Sequence, residues 1–122
     1  MDVQRRTLAV IDDDLRVLES LVNLLASFGY LAESYSSAEQ FLTSGAVSRT
    51  SCIITDVEMR QMSGLGLLLH LKNSHWTVPV IIITGKPSER AAAFYMENGA
   101  VGFFRKPVDG EALVELIASV CV

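Results

Sequence analysis

The sequence predicts an α/β fold: a doubly wound, five-stranded parallel sheet with five helices on its two faces. Three observations predict it. Short apolar runs alternate with helical periodicities from one end of the chain to the other. The apolar runs lack polar alternation, as in strands buried on both faces of a parallel sheet. Right-handed crossovers between such strands place helices on both sides and give three layers. The chain has 122 residues, enough for one core without disulfide or metal staples. No internal repeat or linker divides it, so residues 1–122 read as one domain.

The first strand is Leu8-Ala9-Val10-Ile11, stopped by Asp12-Asp13-Asp14. A helix follows, with Val17, Leu18, Leu21, Val22, Leu25 and Phe28 at the 3.6-residue period and Gly29 as its stop. Carboxylates favour helix starts, so Asp14 reads as its N-cap. Tyr30 to Ser34 is a more exposed second strand. Ser36 or Ser37 caps a short helix through about Gly45, with Ala38, Phe41 and Leu42 inward. Cys52 to Thr55 is the third strand and ends on Asp56. Gly64 to Lys72 is a Leu-rich helix. Val78 to Ile83 is the fourth strand, β-branched without interruption from Val80. Pro87 or Ser88 opens a helix that Gly99 closes. Val101 to Phe104 is the fifth strand. Asp109 caps a last helix with Leu113, Leu116, Ile117 and Val120 on one face.

Half the residues are apolar and 20% are charged, which excludes disorder. The net charge of −4 and the lack of a basic run argue against nucleic-acid binding by this domain alone. No apolar run approaches the ~20 residues of a membrane span. No signal peptide is recognised at the start, so a cytoplasmic location is expected. Cys52 and Cys121 form no CxxC pattern and read as free thiols in a reducing compartment, with a disulfide as the minor reading.

Ligands in such folds bind outside the carboxyl ends of the strands. Those ends carry Asp12-Asp13-Asp14, Asp56, Thr84-Gly85 and Arg105-Lys106-Pro107. Converging carboxylates repel one another, and a hard divalent cation relieves the repulsion. Mg²⁺ prefers one or two carboxylates together with waters and phosphate oxygens. The edge therefore reads as a site for Mg²⁺ and a phosphoryl group, with Lys106 and Thr84 left to bind the remaining oxygens. His70 and His75 show no ligand spacing and read as surface or packing residues. Met59 and Met62 read as packing under the loop after Asp56, and Trp76 as a surface or edge residue.

Four segments, Val10 to Asp14, Asp56 to Gly64, Ile82 to Gly85 and Gly102 to Pro107, follow one another at strand ends. In this order and spacing the chain resembles the receiver domains of two-component response regulators over nearly its whole length. It is most similar to receivers of the FixJ type. The resemblance implies the flavodoxin-like strand order 2-1-3-4-5 and a sensor histidine kinase as partner. It implies that Asp56 is the phosphoacceptor, that Asp13, Asp56 and the carbonyl of Glu58 ligate Mg²⁺, and that Asp12 holds a metal water. It further implies that Thr84 and Lys106 bind phosphoryl oxygens. Phe103 would be the switch aromatic that moves inward with Thr84, and Pro107 would follow a cis bond. A fixed core aromatic is the competing reading of Phe103.

FixJ-type receivers precede a DNA-binding domain, so this chain is expected to control such an output or, alternatively, to act as a stand-alone interaction or phosphorelay module. Phosphorylation would change the helix 4–strand 5–helix 5 face and drive homodimerisation through helix 4 and strand 5. Ala91, Ala92, Ala93 and Tyr95 are offered as the dimer face. No turnover of a diffusible substrate is expected, because 122 residues leave no room for the cap domain of aspartyl-phosphate phosphatases. Arg60 stands where the family has Pro, which frees a backbone N–H and loosens the loop. Glu58 and Lys86 flank the pocket mouth with opposite charges and are expected to pair over the acyl phosphate.

Overall fold

The computed structural model describes residues 6–85 and 92–121. Its elements alternate as expected: β1 (Thr7–Ile11), α1 (Leu15–Ser27), β2 (Leu31–Tyr35), α2 (Ala38–Thr43), β3 (Cys52–Asp56), α3 (Gly64–Asn73), β4 (Val80–Thr84), α4 (Ala92–Glu97), β5 (Gly102–Arg105) and α5 (Gly110–Val120). The strands form one all-parallel sheet in the order β2-β1-β3-β4-β5.

Side chains alternate across a strand, and the core splits accordingly. Leu8, Val10, Ile54, Ile81 and Ile83 pack with Leu18, Leu21 and Leu25 of α1 and with Leu113 and Ile117 of α5. Ala9, Ile11, Ile53 and Ile82 pack with Phe41, Leu67, Leu71 and Tyr95 on the other face. Each fully buried Leu or Ile contributes about 1.5–3 kcal/mol. The two cores therefore supply the stability that lets the carboxyl edge hold like charges together.

The caps follow the sequence. Asp14 accepts a hydrogen bond from the Arg16 N–H at 2.9 Å, Ser37 from Gln40 and Asp109 from Ala112. Gly29 and Gly99 close α1 and α4 at φ of +90° and +108°, a region glycine enters without steric cost.

Some expectations are corrected. The helix around Phe41 stops at Thr43, and a 3-10 turn (Ala46–Arg49) follows. It buries only Ala46, too little for a periodic signal. β4 begins at Val80 rather than Val78, because Pro79 has no N–H to give a ladder. Phe28 is not on the buried stripe: it caps α1 and is 52% exposed. Tyr95 is buried, stacked on Phe103 at 5.5 Å, and so does not lie on an exposed α4 face. The predicted start of α4 at Pro87 or Ser88, and Ala91, fall outside the described residues. Among the described residues no helix is long and apolar enough to cross a membrane.

Candidate functional site

Register brings the chemistry together. Ile11 pairs with Thr55, Asp56 with Ile83, and Thr84 with Arg105. Strands of matched length therefore end on one edge, with Asp12, Asp56, Thr84 and Lys106 side by side. They line a cavity of about 570 Å³, with Asp13, Glu58, Met59 and Arg60 also in its walls.

Asp12 is fully buried. One carboxylate oxygen accepts the Asp14 N–H at 2.9 Å, and the other accepts from Lys106 Nζ at 2.8 Å. Asp56 ends β3 and faces the same ammonium, with Oδ2 at 3.3 Å from Nζ. Its Oδ1 accepts the Glu58 N–H at 3.4 Å. The Lys106 N–H donates to the carbonyl of Thr84 at 2.8 Å, fixing the β5 end to β4, and the Lys106–Pro107 bond is cis. Thr84 is buried. It projects from the same sheet face as Phe103 on the adjacent strand, since Ile82 pairs with Phe103. Phe103 is half-buried against the core, its ring on Tyr95.

Burial first, and then the charge of Asp12, push the Asp56 carboxyl above its ordinary value, while Lys106 and the Glu58 N–H pull it back. Burial draws Lys106 down, but its hydrogen bond and attraction to Asp12, with those to Asp56, outweigh this and raise it. The ammonium is thus held charged between the two carboxyl groups. Carboxyl oxygens of Asp12, Asp13 and Asp56 lie within 4.8 Å of one another. Three hard oxygen donors, one of them raised by burial and by its neighbour's charge, fit a divalent cation such as Mg²⁺.

Two further residues shape the site. Gly64 opens α3 with its N–H on the carbonyl of Val57 at 2.9 Å. A Cβ there would collide with the carbonyl oxygen of Asp56. The sequence reads Gly64 as a helix-start glycine, and the structure adds the reason: it lets α3 begin against the Asp56 backbone. Glu39, on α2, accepts the Met62 N–H at 2.9 Å and tethers the loop after Asp56, while its other oxygen is buried with no hydrogen-bond partner among the described residues. No local sequence signal marks Glu39, which acts 23 positions away.

Met59 and Met62 pack under the loop as expected. His70 and His75 are exposed, outside the cavity, and Trp76 is 43% exposed. Lys86, the proposed partner of Glu58, lies outside the described residues.

Comparison with known proteins agrees with this geometry. Residues 8–118 match the family described as response regulator receiver domain. The response regulator protein TodT of Pseudomonas putida is 40% identical over 108 residues, 88% of this chain and 48% of that protein. The transcriptional regulatory protein FixJ of Azorhizobium caulinodans is 40% identical over 108 residues, covering 88% of this chain and 51% of its own length. The chain thus spans about half the length of these curated relatives. Among solved structures, FixJ-N superposes with a TM-score of 0.85 at 31% identity, over 98% of this chain and 95% of its own.

Proposed function

The chain belongs to the family of response regulator receiver domains, and from that premise we propose that Asp56 accepts a phosphoryl group from a sensor histidine kinase. The observation that carries this reading is the buried bridge Asp12–Lys106–Asp56 at the carboxyl edge of the sheet. It holds one ammonium between two carboxylates, with the Asp13 carboxylate beside them, where an incoming phosphoryl group needs both charges. Asp56 supplies the attacking oxygen. Lys106 Nζ turns from the two carboxylates to pair with a phosphoryl oxygen, and the Thr84 hydroxyl donates to another.

Mg²⁺ would be held by Asp13, Asp56 and the Glu58 carbonyl, with Asp12 on a metal water. When bound, it neutralises charge on the transferring group in a loose, in-line transition state. The domain catalyses only its own phosphorylation and dephosphorylation. The added charge draws Thr84 toward the phosphoryl group. Phe103, on the same sheet face, follows and alters the α4–β5–α5 surface. That surface drives homodimerisation and controls a DNA-binding output region, as suits a chain half the length of a relative named a transcriptional regulator. The setting is the cytoplasm.

Intact-mass measurement after incubation with acetyl phosphate and Mg²⁺ tests the chemistry. One added phosphoryl group, lost in Asp56→Asn, is expected. No adduct, or an adduct that survives the substitution, overturns the reading. Sedimentation with beryllofluoride and Mg²⁺ tests the output step. A monomer at high concentration with and without the mimic refutes dimerisation.

A further inference from the structure

Cys52 and Cys121 are 69 positions apart in the chain, yet each thiol is the largest influence on the other's proton affinity. Cys52 opens β3 and is fully buried, while Cys121 caps α5 and is half-buried. Cys121 Sγ lies 3.5 Å from the carbonyl oxygen of Ser51, the residue before Cys52. Both side chains belong to the apolar cluster between the sheet and helices α1 and α5. The pair sits at the start of β3 and Asp56 at its end, so about 13 Å of strand separates this site from the acidic pocket.

Two reduced thiols in one cluster, one of them bonded to the backbone beside the other, have a covalent outcome that a lone thiol lacks. We propose that Cys121 and Cys52 form a redox modification site that takes a hydroperoxide and closes to an intramolecular disulfide. Their environments assign different roles. The Cys52 thiol, assisted by the charge of Arg6 and opposed by burial, draws the Cys121 thiol down. The Cys121 thiol and burial push Cys52 up. The half-exposed, lower-pKa thiol is the one a peroxide meets, and the buried neighbour is the resolving thiol.

The Cys121 thiolate sulfur attacks the near oxygen of the peroxide. The O–O bond breaks, and the far oxygen leaves with a proton as water or alcohol. Cys52 sulfur then attacks the sulfenic sulfur. The S–O bond breaks, the S–S bond forms, and the Cys52 proton leaves with the hydroxide as water. The two sulfurs lose two electrons and the peroxide gains them. The product ties the end of α5 to the start of β3.

The test is to treat the reduced chain with stoichiometric hydrogen peroxide, alkylate the remaining thiols and map peptides without reduction. Expected are a mass lower by two hydrogens, a Cys52–Cys121 linked peptide in a monomer, reversal by dithiothreitol and a melting temperature raised by about 5 °C or more. Cys52→Ala is expected to stop at a Cys121 sulfenic acid that dimedone traps. Sulfinic or sulfonic acid on Cys121 beside a free Cys52 in the unsubstituted chain overturns the proposal. So does a disulfide between two chains, or two thiols left intact.

Discussion

Replacing Lys106 with Met removes the ammonium from the pocket while keeping most of the side chain's volume. Two ion pairs go, at 2.8 Å to Asp12 and 3.3 Å to Asp56. Breaking a fully buried pair costs about 3–5 kcal/mol, and losing an exposed one about 0–1 kcal/mol. The Lys106 side chain is 21% exposed against 0% for Asp12 and 9% for Asp56. The case is therefore nearer the buried limit, and a loss of about 2–3 kcal/mol is expected at neutral pH. Protonation sets a ceiling. Neutralising one carboxyl of ordinary pKa at pH 7 costs about 4 kcal/mol, but at pH 5 only about 1.6 kcal/mol, at 1.36 kcal/mol per unit. The loss should shrink as the solution is acidified. Millimolar Mg²⁺ should restore more stability to Lys106→Met than to the unsubstituted chain, because it replaces the missing positive charge. Urea unfolding at about pH 5 and about pH 7, with and without Mg²⁺, reads all three effects. An equal loss at both pH values, indifferent to Mg²⁺, would show that packing rather than charge holds Lys106. A gain at neutral pH would show that its desolvation outweighs its pairing.

Asp56→Asn should stabilise the metal-free chain at neutral pH. The folded carboxyl titrates above its ordinary 3.8, so its contribution is full below that value and drains away as pH rises through the raised one. The variant should flatten this slope in pH-dependent unfolding, and an unchanged slope assigns it to other groups. Gly64→Ala puts a methyl group against the Asp56 carbonyl and should cost about 2 kcal/mol or more in urea unfolding; a neutral result means that α3 does not need this approach. Glu39→Ala should cost about 1 kcal/mol and speed hydrogen exchange at the Met62 amide, and an unchanged exchange rate refutes the tether.

Most of the architecture was legible because β3 opens on the apolar run Cys52 to Ile54 and β4 on Val80 to Ile83, and because the caps Asp14, Ser37 and Asp109 are polar residues placed just before apolar periods. The pocket was legible for a related reason: a parallel sheet sends every strand's end to one edge, so Asp12, Asp56, Thr84 and Lys106 had to meet. Contacts between elements distant in sequence stayed hidden. Nothing local shows that Glu39 reaches Met62, or that Cys121 returns to Cys52. Tyr95 misled because aromatic and small residues on a short helix fit an exposed face and a buried one equally, and only its stacking on Phe103 decides.

The Glu39 tether has a mechanical consequence. The family's proline would stiffen the loop after Asp56 from within; this chain, with Arg60 there, braces it from outside like a guy-rope anchored on α2. A molecule that tugs α2 away from the sheet would slacken that line and let the loop sag, with no need to enter the acidic cavity.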